Sequence, residues 1–256
     1  MQVVIFAGGL GTRISEETSM VPKPMIRIGD KPILWHIMKI FASFGHTDFI
    51  ICAGYKSYII KEYFMNFRAY NSDFSVATNT GKTNFFSEPD EQWNVTILDT
   101  GVETQTGGRL LAAKEHLDDT FLLTYGDGVA DVNLEELLEV HRREALEVTL
   151  TAVQPEGRYG ALDISKNSVA SFQEKPKGDG AWVNGGFLVC KKTILRHLVG
   201  PSSIFEDAVL AHCASIGELS AYKHYGFWAS MDTKRDHLKL NSAWENNQAK
   251  WKSWVD

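Results

Sequence analysis

Three glycines and an arginine follow the first apolar run of the chain, in Val3–Arg13 (VVIFAGGLGTR). Exposed backbone N–H groups and a guanidinium both bind phosphate, so this loop is a candidate phosphate site. It does not match a Walker loop, and it is not a GxGxxG dinucleotide loop because Ile14 stands in place of the third glycine. Lys23 follows between Pro22 and Pro24, whose restricted backbone would hold its ammonium at a lower entropic cost. The alternative is a tight turn with ordinary surface cations.

Two aspartates far apart in the sequence are candidates for a metal site. Asp127 lies in TYGDG, at the end of an apolar segment, and Asp232 lies in SMDT, at the start of the last predicted helix. Open α/β sheets place their ligands at the carboxyl ends of the strands, where we expect Asp127. Two aspartates, phosphate oxygens and water can complete the octahedral oxygen shell that Mg²⁺ requires. The residues alone leave open a turn role for Asp127 and a helix N-cap role for Asp232.

The elements that must position these residues alternate between strand and helix in the first half of the chain. The predicted strands there are Gln2–Ala7, Asp48–Ala53, Val95–Asp99 and Phe121–Thr124, and the predicted helices are Lys31–Phe44, Ser57–Phe67, Gly108–Leu117 and Asn133–Ala145. This order favours a parallel, doubly wound sheet. The polar stretch Asn71–Trp93 is predicted to be an inserted excursion.

The pattern changes from Glu147, where strands follow one another with few helices between them. The further predicted elements are the strands Val148–Val153, Gly160–Ile164, Val169–Gln173, Trp182–Cys190 and Leu219–His224 and the helices Lys191–Leu198, Ser203–Ile216 and Thr233–Asn247. We therefore expect an α/β fold with a Rossmann-like, doubly wound, mixed but mainly parallel sheet, helices on both faces and a small accessory β region.

Composition limits the class of protein. The 256 residues are 44% apolar, enough for one sizeable core, and 26 basic against 32 acidic residues give a formal charge of −6. A weakly acidic chain gives no reason to expect a nucleic-acid or membrane partner. No apolar stretch approaches the roughly 18 residues of a membrane span, so we expect a cytoplasmic protein.

We expect structural rather than catalytic or metal-binding roles for the cysteines, the histidines and the tryptophans near the C-terminus. The three cysteines have no CxxC spacing and are expected to be buried thiols, and the eight histidines have no metal-ligand spacing. Trp244, Trp251 and Trp254 are unusual in a polar terminal segment. They are expected to cover either a groove or a neighbouring subunit.

The loop GGLGTR, followed by PKPM and KPILWHIM, resembles the signature of the sugar-1-phosphate nucleotidyltransferases. The segments TGGRL, TYGDGVADVN, FQEKPKGDG, NGGF and MDTKRD are similar to the cytidylyl branch of that family. The similar segments span about Ala7 to Asp236. The resemblance implies one domain over 1–256, with a nucleotide-binding part at about 1–146, a sugar-phosphate-binding part at about 147–230 and a C-terminal helix and tail at 233–256.

The family resemblance also implies the reaction and its participants. A phosphate oxygen of glucose 1-phosphate would attack the α-phosphorus of CTP with Mg²⁺ as cofactor, giving CDP-glucose and pyrophosphate for deoxysugar synthesis. Family members assemble as oligomers, so a homo-oligomer is expected. Alternatives are the same chemistry with UTP, dTTP or another sugar phosphate, or a non-catalytic nucleotide-sugar sensor. A sensor could lose its phosphate cations or metal carboxylates, whereas this chain retains them.

The resemblance assigns roles residue by residue. Arg13, Lys23 and Asp127 would be catalytic, and Asp127 and Asp232 would bind the metal. Glu174, Lys175, Asn184 and Gly185 would bind the sugar phosphate. The predicted nucleotide-binding residues are Ala7, Gly8, Gly9, Leu10, Gly11, Thr12, Arg13, Lys23, Thr104, Arg109 and Gly126.

Base choice is assigned to Thr104 and Arg109, which match nucleotide-contacting positions of the cytidylyl branch. Cytosine offers acceptors at N3 and O2, whereas N3 of uracil is a donor. A guanidinium aimed at that edge would therefore favour cytosine, and a mispaired buried donor costs about 1–3 kcal/mol. The alternative for Arg109 is a surface residue at the start of a helix.

Overall fold

The computed structural model describes residues 1–11, 14, 18–155, 157, 161–165, 168–173 and 181–254. Its strands are β1 (Val3–Ala7), β2 (Arg27–Ile28), β3 (Lys31–Pro32), β4 (Asp48–Ala53), β5 (Phe74–Ala77), β6 (Lys82–Phe85), β7 (Asn94–Asp99), β8 (Thr120–Tyr125), β9 (Gly128–Ala130), β10 (Val148–Val153), β11 (Ala161–Ser165), β12 (Ser168–Gln173), β13 (Val183–Lys191), β14 (Leu219–His224) and β15 (Trp228–Ser230). Its α-helices are α1 (Ile33–Ala42), α2 (Ser57–Met65), α3 (Phe67–Asn71), α4 (Thr106–Ala112), α5 (Leu134–Glu144), α6 (His212–Ser215) and α7 (Lys234–Glu245).

A seven-stranded sheet in the order β14-β10-β13-β8-β1-β4-β7 forms the centre of the molecule. The pairs β8/β1, β1/β4, β4/β7 and β10/β14 are parallel, whereas β13 runs antiparallel to both of its neighbours. The mixed, mainly parallel sheet is therefore confirmed. Because β1 and β8 run in the same direction, their carboxyl ends bring the Gly8 loop and Asp127 to one edge of the sheet.

Apolar side chains cover both faces of this sheet, as expected for a doubly wound fold. In β1, Val3 and Ile5 belong to one buried cluster, and Val4 and Phe6 belong to another on the opposite face. Helix α1 packs on the first face, and Leu110 of α4 packs on the second. The helix predicted over Lys31–Phe44 begins two residues later, because Lys31 and Pro32 pair with β2 and Pro32 is the N-cap.

The C-terminal tryptophans cover a groove of their own chain. Trp251 is fully buried and Trp254 is 9% exposed, and both pack around His36 of α1. Trp251 Nε1 donates to His36 Nδ1 (3.4 Å), and His36 Nε2 contacts the carbonyl oxygen of Ile28 (3.0 Å). Burial lowers the pKa of His36 to about 4, so the imidazole is neutral at pH 7. Of the two expectations for these tryptophans the groove is confirmed, and the homo-oligomer stays a prediction.

Other regions also differ from the sequence prediction. The helix predicted over Lys191–Leu198 is the 3₁₀ helix Lys192–His197, and the helix predicted over Gly108–Leu117 is α4 followed by the 3₁₀ turn Lys114–His116. The predicted excursion over Asn71–Trp93 contains the hairpin β5–β6, whose residues are almost all exposed. The single helix predicted over Ser203–Ile216 is a π-helical segment, Glu206–Ala211, followed by α6. The three cysteines are buried and unpaired, as predicted. Within the described residues, no helix has both the length and the apolar character to cross a membrane.

Candidate active site

Backbone pairing brings the two candidate metal ligands together across more than one hundred residues. Strand β9, directly after Asp127, pairs antiparallel with β15, which ends two residues before Asp232, with Gly128 opposite Ser230. The N–H of Met231 donates to the carbonyl oxygen of Asp127 (2.9 Å). Each aspartate therefore lies at the same end of this two-stranded ribbon, beside the carboxyl end of β8.

The side chain of Lys23 lies between both aspartates. Its Nζ is 2.6 Å from Asp127 Oδ2 and 2.9 Å from Asp232 Oδ1. The lysine side chain is 13% exposed, whereas the two carboxylates are 31% and 30% exposed. Burial alone would lower the pKa of Lys23, but its charge pairing and hydrogen bonds with the two aspartates raise it above the ordinary value. A single cationic atom thus contacts both acids, and the acids remain open on their other side.

The backbone around Lys23 explains why its ammonium is held there. Lys23–Met25 forms a 3₁₀ turn after Pro22, closed by a hydrogen bond from the N–H of Met25 to the carbonyl oxygen of Pro22 (2.8 Å). Pro24 packs against Gly126, where an added Cβ would lie 2.9 Å from the proline Cγ. Glycine at this position therefore allows the lysine turn to approach the end of β8 closely.

The structure excludes the helix N-cap role for Asp232, and it places Asp127 in a turn. The N-cap of α7 is Thr233, which forms a capping box with Asp236, so Asp232 is not the cap. Asp232 instead accepts hydrogen bonds from Lys23 and from Ser230 Oγ (2.7 Å). Asp127 lies in the turn between β8 and β9, and its side chain contacts Lys23 rather than closing that turn.

A cavity of about 220 Å³ adjoins the two carboxylates. Its lining residues are Thr124, Tyr125, Asp127, Gly128, Asn184, Gly185, Gly186, Trp228, Ser230 and Asp232. The predicted sugar-binding residues Asn184 and Gly185 therefore lie beside the predicted metal ligands. Trp228 Nε1 donates to the carbonyl oxygen of Gly185 (2.7 Å), which holds this part of β13 against the ribbon β9–β15.

The sequence reasoning missed a polar chain that continues from this cavity. Asn184 Nδ2 contacts the hydroxyl of Tyr125 (3.4 Å), which donates to Glu206 Oε1 (2.5 Å). Glu206 Oε2 accepts from Thr106 Oγ1 (2.8 Å) at the first residue of α4. Burial and the adjacent carboxylate raise the pKa of Tyr125, so its phenol stays protonated. Glu206 lies in a π-helical segment, and such segments recur at functional sites, but only the structure reveals it.

The glycine loop continues directly from β1 at the same sheet edge. Ala7 and Gly8 are buried, whereas Gly9 and Leu10 are exposed and Gly11 has a positive φ of 63°. Within the described part of the chain, the N–H groups of residues 9–11 have no hydrogen-bond acceptor. These donors suit an anionic ligand. Thr12 and Arg13 lie outside the described residues.

Arg109 is not the surface residue that the alternative described, because it is 4% exposed. Its Nη2 donates to the carbonyl oxygen of Gly8 (3.0 Å), and its Nη1 donates to Thr100 Oγ1 (2.6 Å) and to the carbonyl oxygen of Gly101 (2.8 Å). Gly8 has no room for a side chain, since an added Cβ would lie 2.1 Å from Nη1. The guanidinium therefore holds the start of the glycine loop through the carbonyl oxygen of Gly8.

The predicted base-reading pair thus makes backbone contacts in this structure. Thr104 Oγ1 donates to the carbonyl oxygen of Thr100 (2.6 Å), in the same loop that contacts Arg109. A direct contact from Arg109 to a base stays a prediction. For that contact, at least one guanidinium nitrogen would have to give up its hydrogen bond to a carbonyl oxygen and donate to the base instead. Glu174 and Lys175, predicted to bind the sugar phosphate, lie outside the described residues.

Comparisons with known proteins identify the family of this chain. The model of the family "Nucleotidyl transferase" matches residues 2–246. The chain is 49% identical to a glucose-1-phosphate cytidylyltransferase of Salmonella typhi, covering 99% of this chain and 100% of that protein. It is 42% identical to a probable glucose-1-phosphate cytidylyltransferase of Bacillus subtilis (strain 168), with the same coverage.

A solved structure supports the fold. The crystal structure of HddC from Yersinia pseudotuberculosis superposes with a TM-score of 0.68 at 22% identity, covering 95% of this chain and 99% of that one. At that identity the match concerns the fold alone. Together with the family match over most of the chain, these findings show that the protein belongs to the nucleotidyl transferase family.

Proposed function

We propose that this protein transfers the cytidylyl group of CTP to glucose 1-phosphate. A phosphate oxygen of the sugar phosphate forms a bond to the α-phosphorus of CTP, the bond from that phosphorus to the bridging oxygen breaks, and pyrophosphate leaves. No nucleophilic side chain is needed because the attacking phosphate is ionised at neutral pH. The protein must instead align the two substrates and offset the repulsion between two anions.

The observation that carries the proposal is the meeting of Lys23, Asp127 and Asp232 beside a cavity lined by Asn184. An ammonium can neutralise phosphate charge, a pair of acids can hold a dication that does the same, and the cavity provides room for a second ligand. The near-complete alignment with two cytidylyltransferases supports CTP and glucose 1-phosphate as that pair of substrates.

The two carboxylates fit the predicted Mg²⁺. Mg²⁺ prefers oxygen ligands and is usually held by one or two carboxylates together with substrate phosphates and water. Asp127 and Asp232 supply such a pair, and each keeps about a third of its surface open towards the cavity. When bound, the cation would neutralise charge on the phosphates during displacement. Arg13 and Lys23 are proposed to neutralise the remaining phosphate charge.

The two substrates are proposed to lie on opposite sides of these acids. The N–H groups of Gly9, Leu10 and Gly11, with Thr12, would wrap the nucleotide phosphates. Asn184 would contact the sugar, Lys175 its phosphate and Glu174 its hydroxyl groups.

Selection of cytosine is proposed to involve Arg109. If the guanidinium reads the base, Arg109→Ala should weaken CTP binding more than UTP binding, by about tenfold to a hundredfold. If it acts only through the backbone of Gly8, both nucleotides should lose affinity in equal proportion. The native chain assayed with each nucleotide is the reference for both outcomes.

The direct test is a grid of nucleoside triphosphates against several sugar 1-phosphates, with Mg²⁺ or with EDTA, scored by release of pyrophosphate. Dominant turnover of CTP with glucose 1-phosphate, abolished by EDTA, is the expected result. Equal use of UTP or dTTP would overturn the nucleotide assignment. Absence of turnover with every pair would overturn the enzymatic proposal and favour a nucleotide-sugar sensor.

A further inference from the structure

A second cluster of metal-ligating side chains lies away from the proposed active site. Glu147, His197 and Cys213 place one carboxylate oxygen, one ring nitrogen and one sulfur within 4.8 Å of one another. They come from the residue before β10, from the last residue of the 3₁₀ helix Lys192–His197 and from α6. The histidines and cysteines have no ligand spacing in the sequence, so only the fold brings this set together.

The cluster is at the opposite edge of the sheet from Asp127. Glu147 precedes the first residue of β10, whereas Ala152 near the other end of β10 pairs with the cavity residue Asn184. Strand β10 has six residues, which span about 20 Å at roughly 3.3 Å per residue. The cluster therefore cannot share a ligand with the proposed active site.

The distance between Glu147 and His197, which form a long hydrogen bond, also suits two ligands of one ion. Glu147 Oε2 and His197 Nε2 are 3.4 Å apart, which is long for a hydrogen bond between these atoms. Bond lengths of about 2.0 Å to each atom in a tetrahedron would separate the two ligands by roughly 3.3 Å. The observed separation thus matches one edge of a tetrahedral site.

The surroundings orient these ligands as in a built metal site. Glu147 Oε1 accepts from Thr193 Oγ1 (3.0 Å) and pairs with Arg196 Nη2 (2.8 Å), which leaves Oε2 directed at His197. Ligating carboxylates are commonly held by such outer hydrogen bonds. Cys213 is fully buried, and its thiol has no hydrogen-bond partner among the described residues.

We propose that Glu147, His197 and Cys213 form a binding site for a transition-metal dication such as Zn²⁺, distinct from the Asp127–Asp232 site. One carboxylate, one imidazole and one thiolate form a ligand set that suits Zn²⁺ and not Mg²⁺. Binding would displace the thiol proton and join three segments at this edge of the sheet. The site then contributes to stability rather than to the transfer reaction.

Titration of the full chain with Co²⁺ tests the site, because a thiolate ligand gives a sulfur-to-cobalt charge-transfer band that oxygen ligands do not. The native chain should develop this band at one equivalent of Co²⁺, and Zn²⁺ should abolish it. Cys213→Ser should lose the band, whereas Cys52→Ser removes a buried thiol on β4, away from the cluster, and should keep it. Thr193→Val should weaken Co²⁺ binding about tenfold to a hundredfold, because it releases Glu147 Oε1.

Two results would overturn this proposal. One is a native chain that develops no thiolate band at millimolar Co²⁺, which does not depend on the folding of any variant. The other is a band that persists in Cys213→Ser.

Discussion

Removal of the Lys23 ammonium should change metal binding and catalysis in opposite directions. Lys23 Nζ contacts one oxygen of Asp127 and one oxygen of Asp232, so an incoming dication that binds their open side competes with it for the charge of both acids. The variant Lys23→Met keeps the length of the side chain and removes the charge. Two carboxylates then face each other without a cation, and we expect them to bind a dication more tightly.

The size of this effect follows from the contacts with which the metal competes. Hydrogen bonds to charged groups contribute about 1.5–3 kcal/mol each, and partial exposure of both carboxylates reduces that value. We take about 1–3 kcal/mol for the pair, which corresponds to about a 5-fold to 150-fold increase in metal affinity. Pyrophosphate release should fall by about a hundredfold or more, because the phosphate charge loses its cationic partner.

Binding of Mn²⁺ without nucleotide, followed by electron paramagnetic resonance, measures the affinity separately from turnover. Lys61→Met is the matched control, since Lys61 pairs with a single aspartate, Asp99 (3.1 Å), outside the site. That control should leave Mn²⁺ affinity unchanged. Weaker or equal Mn²⁺ binding by Lys23→Met would refute the competition between ammonium and metal.

Three further substitutions test the fold around the site. Gly8→Ala should lower the free energy of unfolding by about 2–4 kcal/mol in denaturant titrations, because its Cβ would displace a buried guanidinium and break charged hydrogen bonds. The free energy of unfolding of the native chain should fall by about 3 kcal/mol as the pH falls from 6.5 to about 4, and His36→Gln should not show this fall. Trp251→Ala should lower the free energy of unfolding by about 3–5 kcal/mol in thermal or denaturant unfolding, because it empties a fully buried site.

The sign for His36 follows from its lowered pKa. Below pH 6.5 the unfolded chain takes up a proton that the buried imidazole refuses until about pH 4, so stability falls across that range. Equal pH profiles for native chain and His36→Gln would contradict this.

Gly9→Ala is the control for Gly8→Ala, since nothing lies within 4 Å of the Cβ that it would add. An equal cost at both glycines, or a cost below about 1 kcal/mol for Trp251→Ala, would contradict the packing described.

The parts of the fold that depend on local pattern could be predicted from the sequence. The strand Asp48–Ala53 is apolar throughout after Asp48, and its predicted bounds match the structure. The start of α1 was predicted less accurately, because Pro32 pairs with Arg27 of β2 and does not belong to the helix. Helix propensity could not distinguish the π-helical turn at Glu206, whose geometry depends on distant contacts with Tyr125 and Thr106.

The candidate site likewise has a part that local sequence patterns predict and a part that depends on the fold. The glycine loop and the lysine between two prolines are local patterns, and they predicted phosphate-binding groups without help from the fold. The contact of Lys23 with both aspartates depends on the pairing of β9 with β15, which no local pattern reveals. Arg109 can be buried only because Gly8 and Gly54, which follow two different strands, have no side chains. Spacing along the chain could not indicate that arrangement.

The most direct test of the central claim is the rate of pyrophosphate release from CTP and glucose 1-phosphate in Asp232→Asn. This variant keeps the size of the side chain and removes one of the two charges that Lys23 bridges. Asp48→Asn, which changes an aspartate at the opposite edge of the sheet, is the control. We predict a fall of about a thousandfold or more for Asp232→Asn and none for the control. A rate within about tenfold of the native value would contradict a dication held between Asp127 and Asp232 as the basis of catalysis.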